Sequence, residues 1–286
     1  MHEDTADRDR PEDNALCARA AELEKRGIGK WEDFLLLAQF FTQRKANHYI
    51  FRGQADVEWG LVPSLARPFR PRRVDDVGLA LKIEEKALNK FHRDAHLFLP
   101  ANLVSVSDKD KVYWWMLMQH HGAPTRLLDW THSPYAGLYF STEDYGRDGA
   151  LWCCDQIQLA KHMCAKYNRE PWVAEFFKSG GIQSTDAPRD LIVCDSTRRS
   201  QRQAVQQGVF TLCKQVLTDH REALEEAGCL FKFKIPKELK AEFQYRLVKA
   251  NVTGVSLFPD IDGLGRFIRD QVYFGLHYGG PAVLPE

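Results

Sequence analysis

The chain has 286 residues, 44% of them hydrophobic and 27% charged, which is typical of a globular protein with a substantial core. Its 39 basic and 39 acidic residues cancel, so the composition predicts no global attraction to nucleic acid or to a membrane surface. No stretch approaches the roughly 20 apolar residues of a spanning helix, and the N-terminus lacks the apolar segment of a signal peptide, so we expect a cytoplasmic protein without membrane contact.

The seven cysteines are spread along the chain, and the adjacent pair Cys153 and Cys154 lies in an apolar run. An odd count at wide spacing favours buried, reduced thiols over a disulfide framework. The sequence has no Cys-x-x-Cys pair and no Cys/His spacing of the zinc-finger type. A structural zinc site is therefore not expected, and no residue is assigned as a metal ligand in the leading interpretation.

The first half of the chain is predicted to consist mainly of helices. Residues 1–15 are charged and include Pro11, so we expect a disordered terminus there, followed by one domain over 16–286. Apolar spacing predicts helices at 31–41, about 77–98 and 112–120, and a strand at 49–52. Gly53 follows this strand, where we expect glycine's backbone freedom to serve a turn. The stretch at about 68–118 is interpreted as a helical insertion.

The second half is predicted to be richer in strands. Residues 124–131 are compatible with a strand, and Ser133 before Pro134 is typical of a helix cap followed by a first-turn proline. Further strands are predicted at 150–154, 191–194, 208–212 and 230–235, and helices at 236–249 and 261–271. Because the strands do not alternate regularly with helices, we predict an α+β fold and not a doubly wound sheet.

Two further groups of residues have predicted structural roles. Four arginines lie within seven residues around two prolines, which is more typical of a solvated loop than of a phosphate clamp; they are Arg67, Arg70, Arg72 and Arg73. Three tryptophans in apolar surroundings are expected in the core and not as platforms for a base; they are Trp114, Trp115 and Trp130.

Four segments spread over most of the chain carry a recognisable pattern. They are Phe51-Arg52-Gly53-Gln54 with 59–65 downstream, the long block 119–131, the strand 206–210, and 257–263. Together they resemble the FRG domain family, which is named for an aromatic-Arg-Gly motif. The resemblance covers positions 49 to about 265, and the second block is the most specific part. The family name by itself does not imply an activity.

The order of the motifs also resembles that of ADP-ribosyltransferases of the Arg-Ser-Glu class. Those enzymes have an arginine at the end of a first strand, a Ser/Thr-bearing strand followed by a helix, and a later strand bearing Glu or Gln-x-Glu. Here Arg52-Gly53, Thr131-His132-Ser133 and Gln206-Gln207-Gly208 stand in that order. The resemblance implies an ADP-ribosyltransferase-like split antiparallel β core with a helical insertion, and NAD as the substrate.

The same resemblance implies roles for individual residues. Arg52 would bind phosphate with its planar guanidinium, Thr131 and Ser133 would bind ribose, and Gln207 would take the position of the glutamate. A glutamine carries no charge, so turnover would be weak, or Asp129 would supply the carboxylate. Other ligand contacts are expected from Gly53, Gln54, His120, His121 and Arg126. The acceptor would be a protein or a nucleic acid, and a toxin or antiviral defence role is an analogy.

Structural alternatives stay open for several of these residues. Arg52 could pair with Asp129 or Asp56, and Asp129 could instead cap the following turn. His120 and His121 end a buried helix, where a structural histidine is common. Arg126 lies in an apolar segment and needs a partner, either a ligand phosphate or an internal carboxylate.

Two alternative functions also stay open. A metal-dependent phosphodiester hydrolase would use His120, His121 and Asp129, together with Arg126, as ligands or acid–base groups. A non-catalytic module would bind a nucleotide or a partner without turnover, which the uncharged Gln207 favours. The sequence does not predict the oligomeric state.

Overall fold

The computed structural model describes residues 11–42, 48–70, 76–100, 110–167, 185, 188–195, 201–274, 276–277 and 280–281. The helices are α1 (Pro11–Arg26), α2 (Trp31–Thr42), α3 (Val77–Asp94), α4 (Lys111–His120), α5 (Pro134–Ser141), α6 (Gln156–Tyr167), α7 (Gln201–Gln206), α8 (His220–Glu226), α9 (Lys240–Lys249), α10 (Gly254–Leu257) and α11 (Ile261–Phe274). The strands are β1 (Tyr49–Gln54), β2 (Leu127–Thr131), β3 (Gly149–Asp155), β4 (Leu191–Cys194), β5 (Gly208–Cys213), β6 (Leu230–Ile235), β7 (Leu276–His277) and β8 (Gly280–Pro281). Short 3₁₀ turns lie at Ala95–Leu97 and Lys237–Leu239. The predicted α+β class is confirmed.

Six strands form one antiparallel sheet in the order β4-β5-β2-β1-β3-β6, and β7 and β8 form a separate hairpin. Strand β1 pairs with β3 along its whole length, and β2 pairs in the same way with β5. Between β1 and β2, however, the only paired residues are Phe51 and Thr131. Thr131 is the last residue of β2, so the two central strands are unpaired over the rest of β2, and a cleft opens between them there.

Two hydrophobic cores cover the two faces of the sheet. One contains most of helix α4, including Trp114 and Trp115, together with Trp130 of β2. These three tryptophans are buried, as predicted. The other contains α2 and α5, which pack on Phe51 of β1. Because side chains alternate along a strand, Phe51 faces this second core while its neighbour Arg52 faces the other way.

Helix α5 lies directly on β1. The Ser133 hydroxyl caps the helix by accepting a hydrogen bond from the Ala136 N–H at 3.2 Å, and Pro134 opens the first turn, as predicted. A Cβ on Gly53 would lie 2.0 Å from the Gly137 carbonyl oxygen and 2.5 Å from the Ser141 nitrogen. Gly53 does not have a positive φ. The expected turn role of Gly53 is therefore wrong, because this glycine is required by the close approach of α5.

The remaining expectations have mixed outcomes. Helix α1 begins at Pro11, inside the range 1–15 expected to be a disordered terminus, while residues 1–10 lie outside the described part, so that boundary stays a prediction. Helix α3 lies within the predicted insertion at about 68–118, and α4 extends two residues beyond its end. Among the described side chains, the cysteines carry reduced thiols. None of the described helices has both the length and the apolar character needed to cross a bilayer.

Candidate functional site

A cleft of about 840 Å³ lies where β1 and β2 diverge. This volume is within the usual range for small-molecule sites. Its walls come from the ends of several elements that are far apart in sequence: β1, β2, the last turn of α4, the loop after β1, and α7. The polar residues that line it include Arg52, Gln54, Glu58, Arg67, Arg70, Gln119, His120, Asp129, Thr131, Glu143, Arg202, Gln203 and Gln206.

Arg52 is the central basic residue of the cleft. Its Nη1 donates a hydrogen bond to the backbone oxygen of Asp129 at 2.7 Å and lies 3.7 Å from the Asp129 carboxylate. Its side chain is 15% exposed, and the Nε donor is buried without a hydrogen-bond partner in the part of the chain that the structure describes. Burial, and to a lesser extent the charge of Arg67, lowers the pKa of Arg52. A guanidinium with a loose ion pair and a spare donor is suited to an incoming anion.

Asp129 presents a carboxylate to the same cleft. Its side chain is 62% exposed, and its Oδ1 accepts a hydrogen bond from Gln119 Nε2 at 2.7 Å. The Gln119 side-chain oxygen in turn accepts a hydrogen bond from the Thr125 hydroxyl. Asp129 therefore does not cap a turn; α4 and the segment before β2 hold its carboxylate in the cleft beside Arg52.

Thr131 and Ser133 have different positions. The Thr131 hydroxyl, which is buried in the cleft wall, donates to the Gln206 carbonyl at 2.5 Å and accepts from the Ser133 N–H at 3.0 Å. Its proton is therefore engaged within the fold. The Ser133 hydroxyl caps α5, and Ser133 is not among the residues that line the cleft. The structure thus brings Thr131, but not Ser133, to the site.

The third motif reaches the cleft through a residue other than the one predicted. Gln207 has a left-handed backbone conformation, with φ of 49°, in the turn between α7 and β5, and its side chain is exposed. It does not line the cleft, whereas Gln206 and Gln203 do. The Gln206 amide donates to the Leu257 carbonyl at 2.9 Å. Of the two adjacent glutamines, Gln206 and not Gln207 therefore faces the cleft.

Gln54 lines the cleft, but both ends of its amide are engaged within the fold. Its Nε2 donates to the Gly60 carbonyl at 2.9 Å, and its Oε1 accepts from Trp152 Nε1 at 2.7 Å. Gln54 thereby holds the loop after β1 in place. Gly53 also lines the cleft, where it contributes only backbone atoms.

Arg126 lies outside the cleft, so the expected ligand contact is wrong. Its side chain is 1% exposed, and its Nε donates to Glu84 at 2.7 Å while Nη1 donates to the Lys214 carbonyl at 3.0 Å. A second contact joins its Nη2 to the other Glu84 oxygen. The internal carboxylate of Glu84, and not a ligand phosphate, is the partner that this buried charge requires.

The two adjacent histidines also have different positions relative to the cleft. His120 lines the cleft, whereas His121 is exposed and lies outside it. Burial, followed by the charge of His121, lowers the pKa of His120, which favours its neutral form near pH 7. Among the described residues, no three His, Cys, Asp or Glu side chains are grouped as a metal site would require.

Several cleft residues were not anticipated from the sequence. Arg202 of α7 lies over the Phe258 ring, with its Cζ 4.2 Å from the centroid, and has no ion pair within the described residues. Trp59 is 54% exposed on the cleft wall. Arg67 and Arg70, which were expected in a solvated loop, also line the cleft; Arg72 and Arg73 lie outside the described residues. The sequence did contain a signal for both residues: Trp59 begins the segment 59–65, and Arg202 lies four residues before the segment 206–210.

Comparison with protein families gives one match, in which the model of the FRG domain matches residues 47–149. The match includes β1, the loop with Trp59, and the block 119–131, and therefore Arg52 and Asp129. The segments around Gln206 and Leu257 lie beyond it. Comparisons with curated proteins and with solved structures returned no match. Residues 47–149, about a third of the chain, therefore match the FRG domain.

Proposed function

We propose that the chain binds NAD in this cleft and transfers ADP-ribose from it to an acceptor. The observation that carries the proposal is the state of Arg52, whose buried Nε has no hydrogen-bond partner among the described residues and whose only carboxylate neighbour is 3.7 Å away. Arg67 and Arg202 line the same cleft, so an anionic ligand is favoured. The exposed indole of Trp59 offers a face for an adenine or nicotinamide ring.

The sheet topology also supports the proposal. The three strands associated with the motifs are neighbours in the order β5-β2-β1, so motifs separated by up to about 155 positions meet at one cleft. The near absence of pairing between β1 and β2 is compatible with a split antiparallel core of the ADP-ribosyltransferase type. Helices α3 and α4 would then form its helical insertion.

The proposed reaction breaks the bond between the ribose C1′ and the nicotinamide nitrogen. The bonding electron pair leaves with nicotinamide, and a nucleophile of the acceptor bonds to C1′ and loses its proton. Asp129 is the carboxylate that would stabilise the positive charge developing on the ribose. Gln203 and Gln206, which line the cleft, would hydrogen-bond ribose hydroxyls. The acceptor is a protein or a nucleic acid, and a toxin or antiviral defence role remains an analogy.

A second candidate is a module that binds the nucleotide without turnover. Two features favour it: the Thr131 hydroxyl is engaged within the fold, and glutamines line the cleft where the enzymes have a glutamate. The metal-dependent hydrolase has no comparable support, because His121 lies outside the cleft and no cluster of metal ligands is found in the described part of the chain.

The test measures NAD binding by isothermal titration calorimetry and nicotinamide release by chromatography, with and without cell lysate as a source of acceptor. We expect saturable binding that Arg52→Ala abolishes, and release that Asp129→Asn abolishes while binding persists. Arg93→Ala is the matched control, because Arg93 pairs with Asp94 on the surface and does not line the cleft. Binding without release would favour the module, and no binding by the wild-type protein would overturn the proposal.

A further inference from the structure

Two arginines reach the cleft from opposite sides of β2. Arg52 belongs to β1, and Arg202 belongs to α7, which leads directly into β5. Strands β1 and β5 are the two neighbours of β2 in the sheet. Both arginines line the cleft. A ligand that lies across the end of β2 would therefore have one guanidinium on each side.

Between them lies the carboxylate of Asp129 on β2. It lies 3.7 Å from Arg52 Nη1, and its charge also acts on Arg202. Arg202 has no ion pair of its own within the described residues, and burial lowers its pKa. The cleft lining has four arginines and three acids, and Asp260 and Asp262 also act on Arg202. This arrangement has an excess of positive charge for a ligand group to neutralise.

Arg202 is held in position by the segment that follows α9. Its guanidinium lies over the buried ring of Phe258, at 4.2 Å from the centroid. The hydrogen bond from Gln206 to the Leu257 carbonyl joins α7 to the same segment. Stacking on an aromatic ring engages the face of a guanidinium and leaves the N–H groups at its edge available. The segment Leu257-Phe258, which lies outside the FRG match, therefore has a role in placing Arg202 at the site.

From this placement we infer that the cleft recognises a diphosphate group, with Arg52 and Arg202 each binding one phosphate across the end of β2. The ligand would replace the Asp129 carboxylate as the counter-ion of Arg52, which leaves that carboxylate free beside the ribose. The inference rests on the proposed function and deepens it, because it makes the diphosphate bridge, and not a single phosphate, the feature that is selected. Losing one such charge-assisted contact lowers affinity roughly 10- to 100-fold.

The test compares ADP with AMP, which differ only in the second phosphate, together with ADP-ribose, by calorimetry. We expect the wild-type protein to bind ADP at least about tenfold more tightly than AMP. Arg202→Gln should reduce the ratio of the ADP affinity to the AMP affinity to about one, mainly by weakening the binding of ADP. Arg202→Lys retains the charge but not the fork, so an intermediate ratio is expected. The control is Arg246→Gln, since Arg246 also lies over an aromatic ring, that of Trp31 at 5.7 Å, but outside the cleft.

The possible failures are distinguishable. If the wild-type protein binds NAD but Arg202→Gln and Arg202→Lys, both folded by circular dichroism, keep the wild-type ratio, the diphosphate clamp is wrong and the proposed function stands. If the wild-type protein binds none of NAD, ADP-ribose and ADP, the proposed function itself fails. A wild-type protein that binds AMP and ADP equally also overturns the clamp.

Discussion

Replacing Gly53 with alanine tests how β1 and α5 are packed against each other. The added methyl carbon would lie 2.0 Å from the Gly137 carbonyl oxygen, whereas ordinary contacts begin at 3.4 Å. The atoms that block it belong to the backbone of α5, so no side-chain rotation can relieve the contact. The helix must move by about 1.4 Å, the difference between these two distances. Such overpacking costs about 1–3 kcal/mol, and more where the backbone resists.

The free energy of unfolding is measured by urea denaturation. We expect the midpoint of Gly53→Ala to fall by roughly 0.5–2 M, given slopes of about 1–3 kcal/mol per molar for proteins. Gly265→Ala is the matched control: on α11, no atom lies within 4 Å of the place that the added methyl carbon would take, and alanine is the better helix former by about 1 kcal/mol. A Gly53→Ala midpoint equal to that of the wild-type protein would refute the packing explanation.

Three other predictions concern the core and the cleft. Glu84→Ala leaves the Arg126 charge buried and unpaired, so we expect a loss of about 3–5 kcal/mol in urea denaturation; Glu84→Leu combined with Arg126→Met should recover most of it. His220 is buried, and burial, followed by the charges of Arg52 and Arg126, lowers its pKa from 6.5 to about 3. Because the unfolded chain then binds a proton that the folded chain does not, stability should fall as the pH decreases from about 6.5 towards 3, and less so in His220→Gln. Trp59→Ala should weaken NAD binding roughly tenfold by calorimetry if the indole stacks on a base, while unchanged affinity would exclude that role.

Local patterns in the sequence were sufficient to predict many of the helices and strands. The apolar spacing of α2 and α4, the strand β1, and the cap at Ser133 are set by residues close to one another in sequence, and all are found in the structure. Five helices were not predicted: α1, α6, α7, α8 and α10. Helix α8 is only seven residues long and mostly polar, so it shows little periodicity.

The site depends on distant contacts and was harder to predict. The cleft exists because β1 and β2 pair at one position only, a feature of strand register that neither strand reveals alone. Arg126 finds Glu84 across 42 positions, and its apolar surroundings suggested only that a partner was needed. Gln206 lines the cleft and Gln207 does not, because Gln207 itself has a left-handed backbone conformation in the turn and its side chain is exposed.

The role of Gly53 could not be predicted for a different reason. Glycine is compatible both with unusual backbone angles and with close packing, and sequence alone did not separate these two reasons. The structure assigns the second, since the backbone of α5 occupies the space where a side chain would be. In the Arg-Gly motif, the arginine therefore faces the cleft, while the absence of a side chain on the glycine lets helix α5 pack closely against β1.

The central claim is that Arg52 binds the phosphates of NAD, and a crystal structure with ADP-ribose tests it most directly. ADP-ribose is the part of NAD that remains after nicotinamide leaves, so it can be observed whether or not the cleft turns over its ligand. We predict the diphosphate within hydrogen-bonding distance of the Arg52 guanidinium, in the cleft between β1 and β2. A ligand bound elsewhere, or bound in this cleft without contact to Arg52, would contradict the account.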